Sequence, residues 1–154
     1  MRNTQPRQKS LRNGRYIEAG LFYFLTSVTK DRTPFFLKSN TALTVLDALK
    51  WLDQKNRIIL VGAVVMPDHL HFIAQLKDET LSRLMHSLKS YTANEINKIL
   101  GRRGPVWERQ YYESGIRCEQ ALRKKVEYCL NNPERRGLVE DFREYPYWYC
   151  RYEL

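Results

Sequence analysis

The stretch VVMPDHLHFIAQL, residues 64–76, decides the interpretation of the fold because it carries two of the three histidines of this 154-residue chain. His69 and His71 are separated by one residue in an apolar segment, so we predict that a strand begins at His69. Side chains alternate between the faces of a strand, which places both imidazoles on one face and Leu70 on the other. Two such imidazoles can bind one divalent ion if a third ligand comes from elsewhere in the chain. Two half-exposed histidines on a sheet face are the alternative, and the spacing alone does not exclude it.

Strand-forming segments lie on both sides of this stretch. Residues 21–29, LFYFLTSVT, and residues 57–66, RIILVGAVVM, have the aromatic and β-branched composition of strands. The second of them is too apolar to be exposed on either face. The later YPYWYC, residues 145–150, predicts an edge strand.

Three helices are predicted between and after these strands. Apolar residues at helical spacing predict a first helix with Asn40 or Thr41 as its N-cap. A second begins at Thr80 and is ended by Gly101, and a third is ended by Pro133. The order of elements predicts an α+β fold of the ferredoxin-like or RRM-like split βαβ type. In that fold an antiparallel sheet has helices packed on it, and its other face is free to hold a site.

Length and charge limit the classes of function. Residues 16–154 are long enough for one domain with its own core, whereas residues 1–15 carry five basic residues and no acid, which predicts a flexible basic arm. The formal net charge of +9 favours a polyanionic partner such as nucleic acid, although a basic protein without one is the alternative. No run of about eighteen apolar residues occurs, so no membrane partner is expected. Three cysteines without CxxC spacing are typical of a reduced cytosolic protein.

Two polar side chains near the end of the third predicted helix could complete a site with the histidines. Tyr128 and Asn132 are four residues apart, so we expect them on one helical face. The carboxamide oxygen of Asn132 could bind the same ion, which would place the Tyr128 hydroxyl beside whatever the ion polarises. A phenol is a poor nucleophile until its target is held, and an ion on a phosphate oxygen does this. Alternatively, the tyrosine ring packs and Asn132 merely ends the helix before Pro133.

These motifs resemble, in the same order, those of the single-tyrosine HUH transposases. VVMPDHLHFIAQL is similar to their His-hydrophobic-His strand. VWERQYYESGIR (106–117), VEYCLNNPERRGLV (126–139) and YPYWYC resemble the branch called REP-associated tyrosine transposases. The resemblance extends from about residue 16 to the end of the chain. It implies a transposase-like catalytic domain with the split βαβ fold read from the element order.

The same resemblance implies a mechanism. His69, His71 and Asn132 would bind Mg²⁺ or Mn²⁺, with Asn132 replacing the glutamine of many insertion-sequence relatives. Tyr128 would attack a phosphodiester of single-stranded DNA near a hairpin and leave a 5′-phosphotyrosine and a free 3′-hydroxyl. The resemblance also implies endonuclease and strand-transfer activity in DNA transposition and recombination. The implied target is a REP-like palindrome. The protein would act as a monomer or homodimer in the bacterial cytoplasm, associated with the nucleoid.

Rival assignments remain open. Tyr91, with Glu95 four residues on, is a second candidate nucleophile on a predicted helix. Asp68 could contribute to ion binding, although Pro-Asp is also ordinary turn chemistry. A non-catalytic nucleic-acid-binding module would have the same fold, and a zinc hydrolase could be built on His69 and His71. The hydrolase is disfavoured because no third histidine or well-placed carboxylate is evident.

Further residues are candidates for DNA contact because they are basic, or aromatic beside a basic residue. Basic side chains suit phosphate oxygens, and aromatic rings suit stacking on unpaired bases. Packing of the rings and solvation of the basic groups are the alternatives. The candidates are Arg12, Arg15, Lys89, Arg102, Arg103, Trp107, Arg109 and Tyr112, and Arg135 and Arg136 are further phosphate candidates of the same low specificity as Arg102 and Arg103.

Overall fold

An antiparallel sheet forms the centre of the molecule in the computed structural model, which describes residues 22–152. Its five strands are β1 (Phe22–Val28), β2 (Ile58–Met66), β3 (His69–Leu76), β4 (Tyr112–Ile116) and β5 (Trp148–Cys150). Their order across the sheet is β4-β1-β3-β2-β5, and neighbouring strands are antiparallel. The predicted α+β fold is thereby confirmed, including the edge strand near the end of the chain.

The central strand β3 is held in register from both sides. His69 pairs with Val28 of β1 and with Met66 of β2, and His71 pairs with Thr26 of β1. A slip by one residue would move every side chain of a strand to the opposite face. Pairing along both edges of β3 therefore fixes which face the two histidines occupy.

The helices lie on both faces of the sheet. They are α1 (Ser39–Gln54), α2 (Leu81–Leu100), α3 (Glu119–Leu130) and α4 (Asn132–Arg135). Helices α1 and α2 bury their apolar sides against residues such as Leu70 and Phe72. On the other face, Cys129 of α3 packs with Phe24 and Ile73. That face is therefore covered, and not free as predicted, so any site on it lies between α3 and the sheet.

The start of α1 differs from the prediction. The helix begins at Ser39 after Lys38, which makes no side-chain capping hydrogen bond, so neither Asn40 nor Thr41 is the N-cap. The Thr41 hydroxyl donates instead to the carbonyl oxygens of Phe35 and Lys38, at 2.7 and 3.0 Å. A hydroxyl can satisfy either a carbonyl or an N–H group, and here the loop before the helix supplies the carbonyls.

Both ends of α2 agree with the sequence. The side chain of Thr80 accepts a hydrogen bond from the backbone N–H of Arg83 at 3.2 Å. Gly101 ends the helix in the left-handed region, with a φ of 63°, where glycine avoids the steric cost of a Cβ. No helix within residues 22–152 has the length and apolar character needed to cross a membrane.

The third predicted helix is two helices. Helix α3 ends at Leu130, and α4 begins at Asn132 with Pro133 in its first turn. Proline has no N–H group and is tolerated in the first turn of a helix but not in its interior. Tyr128 and Asn132 therefore do not share one helical face. The break leaves Tyr128 47% exposed and turns Asn132 inward, where it is 3% exposed.

Candidate active site

The two histidines of β3 converge beneath α3. Their ring centroids are 4.7 Å apart, and both side chains are buried. The ring of Phe24 stacks on His71 at 5.1 Å, and the thiol of Cys129 lies 3.7 Å from the carbonyl oxygen of His71. The prediction that both imidazoles lie on one face is confirmed, whereas the half-exposed alternative is wrong.

Each imidazole is oriented through its Nδ1 atom. Nδ1 of His69 lies 2.8 Å from Oδ1 of Asp68, and Nδ1 of His71 lies 2.8 Å from Oγ1 of Thr26. The carboxylate accepts a hydrogen bond, so Nδ1 of His69 carries the proton and its Nε2 has a free lone pair. Metal-binding histidines are typically held in this way by a carboxylate or another acceptor behind the ring. Asp68, which also accepts from Arg32 at 3.2 Å, therefore lies behind a histidine and is not itself a candidate ligand.

The surroundings keep both histidines neutral. Burial lowers the pKa of His69, although the hydrogen bond to Asp68 opposes the change. Burial also lowers the pKa of His71 to about 3, and positive charges nearby add to this effect. Those charges include Arg135, Arg136 and Lys125. The neutral imidazole is the form that binds a metal ion, so both rings are ready to do so near neutral pH.

Asn132 of α4 and Tyr128 of α3 also lie next to the two histidines. The amide nitrogen Nδ2 of Asn132 lies 3.4 Å from Nε2 of His69. The oxygen and nitrogen of a carboxamide exchange places on a half-turn, so the amide oxygen can also face this point. The Tyr128 ring makes an edge contact with His71, at a centroid distance of 5.8 Å. The structure thus brings together the four side chains singled out from the sequence.

The donor atoms of this cluster fit a divalent ion. Two neutral imidazoles with anchored Nδ1 atoms and one buried carboxamide could hold such an ion and leave positions open for a substrate oxygen. Within residues 22–152, no three His, Cys, Asp or Glu side chains are grouped to hold a metal ion. A three-ligand site here therefore needs the amide of Asn132.

The rival nucleophile lies elsewhere. Tyr91 is exposed on α2, and α2 packs on the face from which Leu70 projects. Because His69 and His71 project from the other face, the sheet separates Tyr91 from them. Of the two candidate tyrosines, only Tyr128 contacts a histidine of the cluster.

Two residues near the cluster were not identified from the sequence. Thr26 contacts His71 only because β1 pairs with β3, which local patterns do not reveal. Lys125 lies 4.9 Å from the ring centroid of Phe24 and precedes Tyr128 by three residues. That helical spacing was the available signal for Lys125, whereas no local signal existed for Thr26.

The structure leaves some of the candidates for DNA contact exposed and places others in contacts within the protein. Tyr112 is 63% exposed and pairs with Thr26, so its ring lies on the histidine face of the sheet. Arg103 and Arg109 are exposed. Arg102 donates to Oδ1 of Asn97 and lies over the Phe35 ring at 4.6 Å. Arg12 and Arg15 lie outside the described residues.

Lys89 holds a loop. Its ammonium donates to the carbonyl oxygens of Glu108 and Arg109 at 2.7 and 3.2 Å, and it lies 5.8 Å from the centroid of the Tyr111 ring. Burial lowers the pKa of Lys89, and the nearby Glu108 carboxylate opposes this. These contacts assign the ammonium to the loop before β4, which differs from the predicted contact with a phosphate.

Trp107 belongs to the core. It is 6% exposed, its indole Nε1 donates to Oγ1 of Thr92 at 2.9 Å, and its ring packs on Phe36 at 5.3 Å. The prediction that it stacks on DNA bases is therefore corrected in favour of packing. We expect Trp107→Ala to lower the free energy of unfolding by about 3–5 kcal/mol, as measured by urea denaturation. The exposed Arg103→Ala is the control, with a change below about 0.5 kcal/mol; equal effects would contradict the core assignment.

Comparisons of the sequence with known proteins identify a family and two relatives. Residues 19–130 match the family model described as transposase, IS200-like. A proposed REP-associated tyrosine transposase of Haemophilus influenzae is 27% identical over 139 residues, covering 83% of this chain and 78% of that protein. The REP-associated tyrosine transposase of Escherichia coli K12 is 25% identical over 136 residues, covering 86% and 77% respectively.

The fold has a counterpart among solved structures. A REP-associated tyrosine transposase bound to a REP hairpin superimposes with a TM-score of 0.68 at 23% identity. The match covers 87% of this chain and 79% of that chain. Similarity at this level of identity shows a shared fold.

Proposed function

The chain belongs to the family of IS200-like transposases, and from this we propose that it cleaves and rejoins single-stranded DNA with Tyr128 as the nucleophile. One observation carries the proposal. Tyr128 and Asn132, from two helices, meet His69 and His71 of the central strand in one cluster. A non-catalytic binding module would not require two neutral, anchored imidazoles beside a half-exposed phenol.

His69, His71 and Asn132 would hold Mg²⁺ or Mn²⁺, which when bound supplies positive charge to a phosphate oxygen. Asp68 and Thr26 hold the two imidazoles in orientation through their Nδ1 atoms. The half-exposed position of Tyr128 leaves its ring accessible to a DNA strand that enters from solvent.

The proposed reaction exchanges one ester for another. The hydroxyl oxygen of Tyr128 attacks phosphorus, the bond from phosphorus to the 3′-oxygen breaks, and the phenolic proton is balanced by the proton gained on that 3′-oxygen. The products are a 5′-phosphotyrosine and a free 3′-hydroxyl. Because the ester is retained on Tyr128, attack by another 3′-hydroxyl rejoins the strand without an external energy source.

The proposed substrate is single-stranded DNA beside a REP-like hairpin. Two relatives are named REP-associated tyrosine transposases, and the solved counterpart of the fold was bound to a REP hairpin. Exposed Tyr112 offers an unpaired base a ring on the histidine face, and Lys125 and Arg136 add positive charge near His71. We assign catalysis to residues 16–154 and further phosphate contacts to the arm that contains Arg12 and Arg15. The place of action would be the bacterial nucleoid.

Covalent capture tests this function. The protein is incubated with a labelled hairpin that carries single-stranded flanks, in Mn²⁺, and is then separated under denaturing conditions. We expect a labelled protein band whose DNA-linked peptide maps by mass to Tyr128. Binding without an adduct would indicate the non-catalytic module, and cleavage without an adduct would indicate a hydrolase that uses water.

Thr26→Val should weaken ion binding while leaving the fold intact. Valine keeps the shape of threonine but removes the oxygen that lies 2.8 Å from Nδ1 of His71. Loss of a residue that orients a metal ligand typically lowers metal affinity by about 10–100-fold, and we expect a change in this range for Mn²⁺ measured by titration calorimetry. Thr44→Val makes the same chemical change on α1, and it should have no effect. Equal Mn²⁺ affinities for the two variants would refute the role of Thr26.

A further inference from the structure

Arg135 contacts the backbone and the ring of one residue, Tyr128. Its Nη2 atom donates to the carbonyl oxygen of Tyr128 at 2.7 Å. Its guanidinium carbon lies 4.0 Å from the centroid of the Tyr128 ring. A single guanidinium at the end of α4 thus bridges to the end of α3.

The break between the two helices creates the place for this contact. Tyr128 lies in the last turn of α3, where backbone carbonyls lack partners within the helix. Arginine side chains near a helix C-terminus can satisfy such carbonyls. Because α4 begins directly after the break, its last residue, Arg135, lies close to the end of α3. The contact therefore depends on the same break that turns Asn132 toward His69.

The ring of Tyr128 is held by Arg135 on its face and by other rings at its edge. Phe24 and His71 make edge contacts, with centroid distances of 5.9 and 5.8 Å. The side chain is nevertheless 47% exposed with all of these contacts made, so part of it faces solvent. The guanidinium lies over the ring, and this contact opposes rotation of the ring away from the histidines.

We propose that Arg135 is a positioning residue that clamps the ring of Tyr128 against Phe24 and His71, in the orientation from which its hydroxyl attacks DNA. This inference rests on the proposed function, in which Tyr128 is the nucleophile. Positive charge alone does not distinguish Arg135, because Arg136 and Lys125 also act on His71. The position of its guanidinium over the Tyr128 ring does distinguish it, and lysine, which has no planar group, cannot reproduce that contact.

The test measures attack and ring position separately. Arg135→Lys keeps the charge and removes the stacking. At saturating hairpin DNA and Mn²⁺, we expect the single-turnover rate of adduct formation to fall about a hundredfold, since displacement of a reacting group by about 1 Å can cost this much. The dissociation constant for the DNA should change less than the rate. In the free protein with 3-fluorotyrosine at position 128, the fluorine resonance should shift or broaden relative to wild type.

Arg143→Lys is the matched control. Arg143 also stacks on an aromatic ring, at 4.9 Å from the centroid of Phe142, and pairs with Asp141. This variant should keep the wild-type rate and the wild-type fluorine resonance. If Arg135→Lys unfolds, Arg135→Gln, which keeps an N–H donor for the Tyr128 carbonyl, replaces it with the same expectations.

Two outcomes would overturn the inference. A wild-type rate in the Arg135 variant means that the clamp is not needed for attack. A reduced rate with an unchanged fluorine resonance means that Arg135 acts on the DNA and not on the ring. Tyr128→Phe is measured in parallel. An adduct formed by that variant would contradict the proposed function itself. If that variant forms no adduct, either of the two outcomes above counts against the role of Arg135 alone.

Discussion

Tyr128→Phe is expected to abolish the covalent adduct between the protein and hairpin DNA while the protein stays folded. Phenylalanine keeps the ring that contacts Phe24, His71 and Arg135, and it removes only the oxygen that would attack phosphorus. The hydroxyl belongs to a half-exposed side chain, so its loss should alter the free energy of unfolding little. The measurement is denaturing electrophoresis of labelled DNA after incubation in Mn²⁺, with thermal unfolding recorded in parallel.

The same change at Tyr91 is the control. Tyr91 is similarly exposed, at 55% against 47% for Tyr128, but lies on the far side of the sheet from the histidines. Tyr91→Phe should therefore form the adduct as wild type does. An adduct that persists in the Tyr128 variant and disappears in the Tyr91 variant would show that the nucleophile is on α2. Persistence in both would point to a different nucleophile altogether.

His69→Ala is expected to remove DNA cleavage and leave most of the DNA binding. His69 has its Nδ1 held by Asp68 and its Nε2 facing Asn132, so alanine deletes one of three proposed ligands. We expect Mn²⁺ affinity and cleavage rate to fall by at least about a hundredfold, because loss of a residue that merely orients a ligand already costs 10–100-fold. Hairpin affinity should persist, because contacts between basic residues and phosphates supply much of it. Calorimetric titration with Mn²⁺, a cleavage assay and a binding assay measure the three effects.

His86→Ala is the matched control for this histidine. His86 is exposed on α2, away from β3, so its variant should bind Mn²⁺ and cleave as wild type does. Excess chelator should stop wild-type cleavage, and added Mn²⁺ should restore it. Full cleavage by the His69 variant, or by wild type in chelator, would contradict a metal-dependent reaction at this cluster.

Predictions that depend on local backbone geometry were correct, whereas a prediction that depends on contacts between distant segments was wrong. That His69 and His71 share a face follows from strand geometry, and Gly101 ends α2 because glycine tolerates the left-handed conformation. Trp107 was placed wrongly because Arg109 follows it closely in sequence, whereas its partners in space, Thr92 and Phe36, lie 15 or more residues away.

The helix break shows the same limit within one short segment. Pro133 indicated that a helix must end nearby, but not that a new helix starts at Asn132. The direction of α4 depends on its packing, including the hydrogen bond from the backbone N–H of Phe142 to Glu134 at 2.7 Å. Only that direction turns Asn132 inward and returns Arg135 to Tyr128.

By itself the sequence determined most of the element types and the shared face of the two histidines, because these depend on backbone periodicity. Tyr128 and Asn132 were singled out by their side-chain chemistry and by the resemblance of their motif to the transposase family, and not by the one helical face that their spacing predicted. The tertiary structure alone decided that Thr26 orients His71, across 45 residues of chain, and that Tyr91 is on the wrong face. It also decided that Arg135 lies on the ring of Tyr128. The physical reason is that strand register and helix packing are set by the burial of apolar surface between segments distant in sequence, which no local pattern contains.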